Sequence, residues 1–125
     1  MKHKATKIIS DIELFFKKYD METIAYSIKV WPFLTKYEKT RCPRLELYSI
    51  LHTQILDAEF CVKYILNDRY AYNYAEESIT DKIILKLQPH INPDNLKDAW
   101  SKYGVIKNGT PITFYYAINR RETLL

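Results

Sequence analysis

His3, His52 and His90, with Cys42 and Cys61, are the residues of this 125-residue chain best suited to metal or nucleophilic chemistry. A zinc site needs closely paired ligands, and a cysteine nucleophile needs a base within reach. None of the five residues has ligand spacing to another, and there is no CxxC. His52, near Asp57 and Glu59, reads as a histidine on a helix surface or satisfied in a core before it reads as a general base. Arg44 and His52 stand too far apart for a paired arginine–histidine nuclease site. Gly104 and Gly109 are the only glycines, so no loop can cradle a phosphate. The expectation is a chain that is not an enzyme and takes no cofactor and no metal.

The sequence offers contact chemistry in its place. Lys36, Tyr37, Lys39, Arg41 and Arg44 mix basic and aromatic groups, as a surface for nucleic acid or an acidic partner would. Residues 21 to 44 sum to +3 and residues 45 to 68 to −3, so the charge is uneven. Arg120 and Arg121 add positive charge near the C-terminus. Tyr70, Tyr72 and Tyr74 alternate in a polar stretch, and tyrosine suits a protein interface because it offers large area on few rotatable bonds. Each group also has a plainer role, as a solvated loop or as packing on its own domain.

Composition bounds the elements that must position these groups. Hydrophobic residues make up 47% and charged residues 27%, values of an ordinary globular protein. A chain of this length reads as one domain, residues 1 to 125, burying roughly two thirds of its unfolded surface. Two cysteines without motif spacing read as reduced thiols in the cytoplasm. No apolar run approaches the roughly 20 residues of a membrane span, and Asp11 and Glu13 interrupt any signal-like start. The net charge of +4 is only mildly basic.

Apolar periodicity predicts a bundle of five or six helices. The first covers about Thr6 to Tyr19, burying Ile8, Ile12, Phe15, Phe16 and Tyr19. Asp20 caps a second, which buries Ile24, Ile28 and Trp31 and breaks at Pro32. A third and longest runs from Pro43 to Asn67, with Tyr48, Leu51, Ile55, Ala58, Val62 and Ile65 on its core face. Ser78 starts a short helix through Ile79, Ile83, Ile84 and Leu87. Asn92-Pro93-Asp94 combines a capping side chain, a proline at the first position and an acid at the positive dipole end. That helix buries Leu96, Ala99, Trp100 and Tyr103 and ends at Gly104.

The last stretch has two readings. Asn108-Gly109 favours a tight hairpin that pairs Val105 with Ile112, but three isolated rungs are marginal in water. Thr110 as cap and Pro111 at the first position favour a helix through Arg121, which is the expectation adopted. Residues 79 to 103 have helix-turn-helix spacing. The would-be recognition helix, however, balances Asp94 and Asp98 against Lys97 and Lys102. The function expected is therefore a small helical protein-binding accessory or regulatory module, cytoplasmic and non-catalytic. The alternative is a DNA- or RNA-binding regulator of helix-turn-helix or winged-helix type. A protein is the expected partner, with nucleic acid or a second copy as alternatives and no membrane.

Overall fold

The computed structural model describes residues 7 to 112 and shows a mostly helical fold that ends in a short two-stranded hairpin. The chain divides between Ile55 and Leu56 into two compact units.

In the first unit, the expected long first helix is a single 3-10 turn, Asp11–Phe15. Ser10 and Glu13 cap it reciprocally, and Asp11 faces the next segment, accepting from Glu46 N at 2.7 Å. The buried Gln54 side chain explains why the turn stops. Its Nε2 donates to Leu14 O at 3.0 Å and Lys17 O at 3.1 Å, carbonyls that a continuing helix would have used. Its Oε1 accepts from Tyr19 N at 2.7 Å. Ile12, Phe15 and Phe16, expected in the core, are exposed, and Ile9 and Leu14 are buried in their place.

Asp20 caps α1, Met21–Val30, by accepting from Thr23 N at 2.7 Å. Ile24 and Ile28 are buried as their spacing requires. Buried Ser27 accepts from Ile9 N at 2.9 Å, which ties the N-terminal segment to this helix. A 3-10 turn at Trp31–Phe33 follows, and then α2, Lys36–Arg41. A capping box fixes the start of α2: Glu38 N donates to Thr35 Oγ1 at 3.1 Å, and Thr35 N donates to Glu38 Oε1 at 2.8 Å.

The continuous helix expected from Pro43 to Asn67 is absent. α3 covers only Leu47–Thr53, because Gln54 turns extended to reach residues 14 to 19. Ile55, expected on the core face, is 65% exposed.

The second unit opens with Leu56, buried, its N–H donating to Gln88 Oε1 at 2.9 Å. Asp57 caps α4, a single turn at Ala58–Phe60 that continues as a π-helical segment, Cys61–Leu66. Cys61, Val62, Ile65 and Leu66 are all buried. Asn73 caps the one-turn α5, Tyr74–Glu77. Ser78 ends that turn by donating to Tyr74 O at 2.9 Å. It is Thr80, not Ser78, that caps α6, Asp81–Leu87. Asn92 caps α7, Pro93–Tyr103, by accepting from Asp94 N at 2.7 Å. Leu96, Ala99 and Trp100 of α7 are buried while Tyr103, expected with them, is exposed at the end of the helix, and the helix packs on α4 and the π-helical segment.

At Thr110–Ile112 a strand stands where a helix start was expected. β1, Val105–Lys107, pairs antiparallel with β2, Thr110–Ile112, joining Val105 with Ile112, Ile106 with Pro111 and Lys107 with Thr110. Asn108 and Gly109 have φ of 54° and 75°, the left-handed pair of a tight hairpin turn. Three rungs are marginal alone, but these have outside partners. Trp100 Nε1 donates to Ile112 O at 2.7 Å, and Asn108 N donates to Asp68 Oδ2 at 2.7 Å. Ile106 N donates to Asn67 Oδ1 at 2.5 Å. The remainder of the expected helix, residues 113 to 121, lies outside the described residues, Arg120 and Arg121 included.

A Cβ at Gly109 would meet no atom within 4 Å. Gly109→Ala should therefore cost only its backbone strain, about 1 kcal/mol, read as a shift in denaturant midpoint. Thr110→Ala, in a strand and capping nothing, should cost less than about 0.5 kcal/mol.

Candidate interaction surfaces

Of the basic cluster expected at residues 36 to 44, Lys36, Tyr37 and Arg41 are exposed on the first unit and Lys39 is half-buried. Lys36, Tyr37, Lys39 and Arg41 all lie on the two turns of α2. Lys39 Nζ sits 4.5 Å from the centroid of the Trp31 ring. The Arg41 guanidinium sits 5.7 Å from that of Tyr37, and its Nη1 donates to Tyr37 Oη at 3.1 Å. Trp31 is itself fixed, because Nε1 donates to Cys42 O at 3.0 Å. Two cations are thus held over two rings of their own chain, an attraction of roughly 0.5–1 kcal/mol each at exposed sites. Arg44 lies beyond α2 and is half-buried.

Sequence reasoning missed Phe33 and misplaced Trp31. By sequence, Phe33 continues an apolar stretch with Leu34 and Tyr37 into the basic segment, and it is 86% exposed. Trp31, expected in the core, is half-buried with its ring under Lys39. Pro32 carries the signal for both, since a proline that ends α1 also turns the next residues off its buried stripe. Glu38 is the only carboxylate between residues 31 and 44, and the Thr35 capping box holds it. Lys36, Lys39, Arg41 and Arg44 against Glu38 leave this segment at +3.

Tyr70, Tyr72 and Tyr74, in the second unit, do not act alike. Tyr70 is half-buried, 5.4 Å from the Tyr64 ring, which lies 4.9 Å from Phe60. Tyr72 and Tyr74 are 69% and 82% exposed. Asn73 between them caps α5, and Glu76, buried, accepts from Tyr72 N at 2.7 Å. The loop is pinned through backbone contacts, leaving two tyrosine rings outward.

Between the π-helical segment, the end of α7 and the hairpin lies a groove of about 1050 Å³, lined by Tyr64, Tyr70, Trp100, Tyr103, Ile106 and Ile112. One side of the hairpin is held by a mostly buried ion pair. Lys107 Nζ is 3.3 Å from Asp68 Oδ1, with the two side chains 17% and 15% exposed. The same ammonium donates to Glu77 O at 2.9 Å and Ile79 O at 3.1 Å. Desolvation lowers the Lys107 pKa from the ordinary lysine value, with Asp68 opposing the shift.

This geometry bears on the helix-turn-helix alternative. α6, α7 and the hairpin follow one another in winged-helix order. A wing contacts phosphate through outward cations, but Lys107, the only cation between Val105 and Ile112, points into the unit. α7 exposes Asp94, Lys97, Asp98 and Lys102, a neutral set. Among the described residues, α7 and the hairpin have this order of elements with no excess of outward cations.

Burial raises the pKa of Cys61 well above an ordinary thiol and raises that of Cys42 too, so neither has the lowered pKa of an activated nucleophile. Among the described residues no three His, Cys, Asp or Glu side chains converge to hold a metal. No described helix is long and apolar enough to cross a membrane. No protein-family model, curated protein or solved structure matches the chain.

Proposed function

We propose that the chain is a non-catalytic protein-binding accessory or regulatory module whose contact surface is the Trp31–Arg41 face. The observation that carries this is the pairing of rings with cations, Lys39 over half-buried Trp31 and Arg41 over exposed Tyr37, in a segment whose Phe33 is also exposed. Trp, Tyr and Arg are the residues that dominate protein interfaces, because they give much contact area or several donors for little lost freedom. Here the freedom of the two cations is already reduced before any partner arrives. Tyr72 and Tyr74 form a secondary contact surface on the second unit.

The same cations would serve a nucleic acid, the alternative reading. Single-strand binding stacks successive bases on aromatic faces along a positive groove. On this face a lysine and an arginine occupy one side each of Trp31 and Tyr37, which favours a partner that uses the cations themselves.

Lys39→Glu with Arg41→Glu tests the proposal. Both residues are outside the core, so the denaturant midpoint should move by less than about 0.5 kcal/mol. A protein captured from the native host by the unaltered chain should be lost by the double variant. Capture that survives the double charge reversal would sink the assignment of this face.

A further inference from the structure

We infer that the Trp31–Arg41 face takes an acidic, leucine-bearing protein segment, in which carboxylates meet Lys36, Lys39 and Arg41 and an aliphatic side chain covers Phe33. This rests on the protein-binding reading and names the chemistry of its partner.

Charge supplies the first half of the argument. Four cations lie between residues 31 and 44, and the single carboxylate there is occupied by Thr35 N. Glu38 stays exposed, but the segment's net charge of +3 still draws an anionic occupant toward its cations. A ring face attracts a cation without accepting its several N–H donors, so Lys39 and Arg41 keep donors for carboxylate oxygens. The rings also hold both cations in position, which reduces the ordering cost of pairing.

Phe33 supplies the second half. A phenylalanine that is 86% exposed has little wall on its own chain, so the partner must bring the apolar surface. A polyanion without aliphatic groups satisfies the cations and leaves this ring in water. A nucleic acid could also stack one base on Phe33, which makes oligothymidylate the competing probe. A segment carrying both glutamate or aspartate and leucine satisfies both halves at once.

The test uses the two tryptophans as internal probes. Trp31 lies on the proposed face and Trp100 is buried in the second unit. The full chain is titrated with a synthetic peptide of glutamate and leucine, with polyglutamate, and with oligothymidylate, following both indole N–H resonances. The glutamate–leucine peptide should shift Trp31 and leave Trp100 in place. Polyglutamate should bind roughly tenfold more weakly, and Phe33→Ser should remove that difference, as loss of an anchoring aromatic does. Lys39→Glu with Arg41→Glu should abolish both titrations. An unmoved Trp31, or an equal or larger response to oligothymidylate, would overturn the inference. So would a host protein still captured by the double charge variant but lost from Tyr72→Ala with Tyr74→Ala. In that last case the binding-module reading survives on the other surface; if no host protein is captured by any variant or by the unaltered chain, that reading fails too.

Discussion

Leu51→Ala should lower stability by roughly 2–5 kcal/mol, whereas Ile55→Ala, four residues on, should change it by less than about 0.5 kcal/mol. Leu51 is buried on α3 among Ile50 and Leu47, so truncation removes its transfer energy and leaves a cavity. Ile55 shares a helical stripe with Leu51 on paper, but the chain leaves the helix at Gln54 and turns Ile55 outward. The contrast in denaturant midpoints reads out the break directly. Equal large losses at both positions would mean that one helix runs through residues 47 to 66.

Asp68→Ala should cost about 3 kcal/mol, because it strips a mostly buried ammonium of its counter-charge and Asn108 N of its acceptor. Lys107→Met in the same background should recover part of the loss, since removing both members of a buried pair is cheaper than removing one. A double-mutant cycle measures this coupling, and a value near zero would contradict the role of the Lys107–Asp68 pair in holding the hairpin. The pH dependence has a definite sign. A lysine whose folded pKa lies below its unfolded value binds fewer protons when folded, so stability rises with pH through the window between the two. That rise, just below the ordinary lysine pKa of about 10.4, should vanish in Lys107→Met.

What the sequence discloses and what it hides follow from the range of the interactions. Asp20 and Asn92 bond amides two or three residues away, so the starts of α1 and α7 are legible from neighbouring residue types alone. Gln54 reads as an ordinary polar residue inside a helical pattern, yet its amide replaces backbone bonds 35 to 40 residues away and ends both the first turn and α3. Asn67 and Asp68 act likewise. The hairpin rungs are evident from Asn108-Gly109, but the partners that make three rungs stable lie 39 and 40 residues upstream. Local spacing therefore favours Thr110-Pro111 as a helix start, and tertiary bonding decides otherwise. The basic residues of the candidate face are visible as a cluster. Their pairing with Trp31 and Tyr37, and the exposure of Phe33, depend on how the chain turns at Pro32.

The Trp31–Arg41 face is proposed to bind protein. Its most direct test is capture from the native host at low and at high salt, scored for both protein and nucleic acid. A protein contact that pairs carboxylates with Lys36, Lys39 and Arg41 and covers Phe33 should leave a stoichiometric protein on the chain at low salt, weakened at high salt, with no nucleic acid beside it at either. Nucleic acid retained at low salt and released at high salt, with no protein partner at either, is the signature of phosphate contacts and would contradict the account.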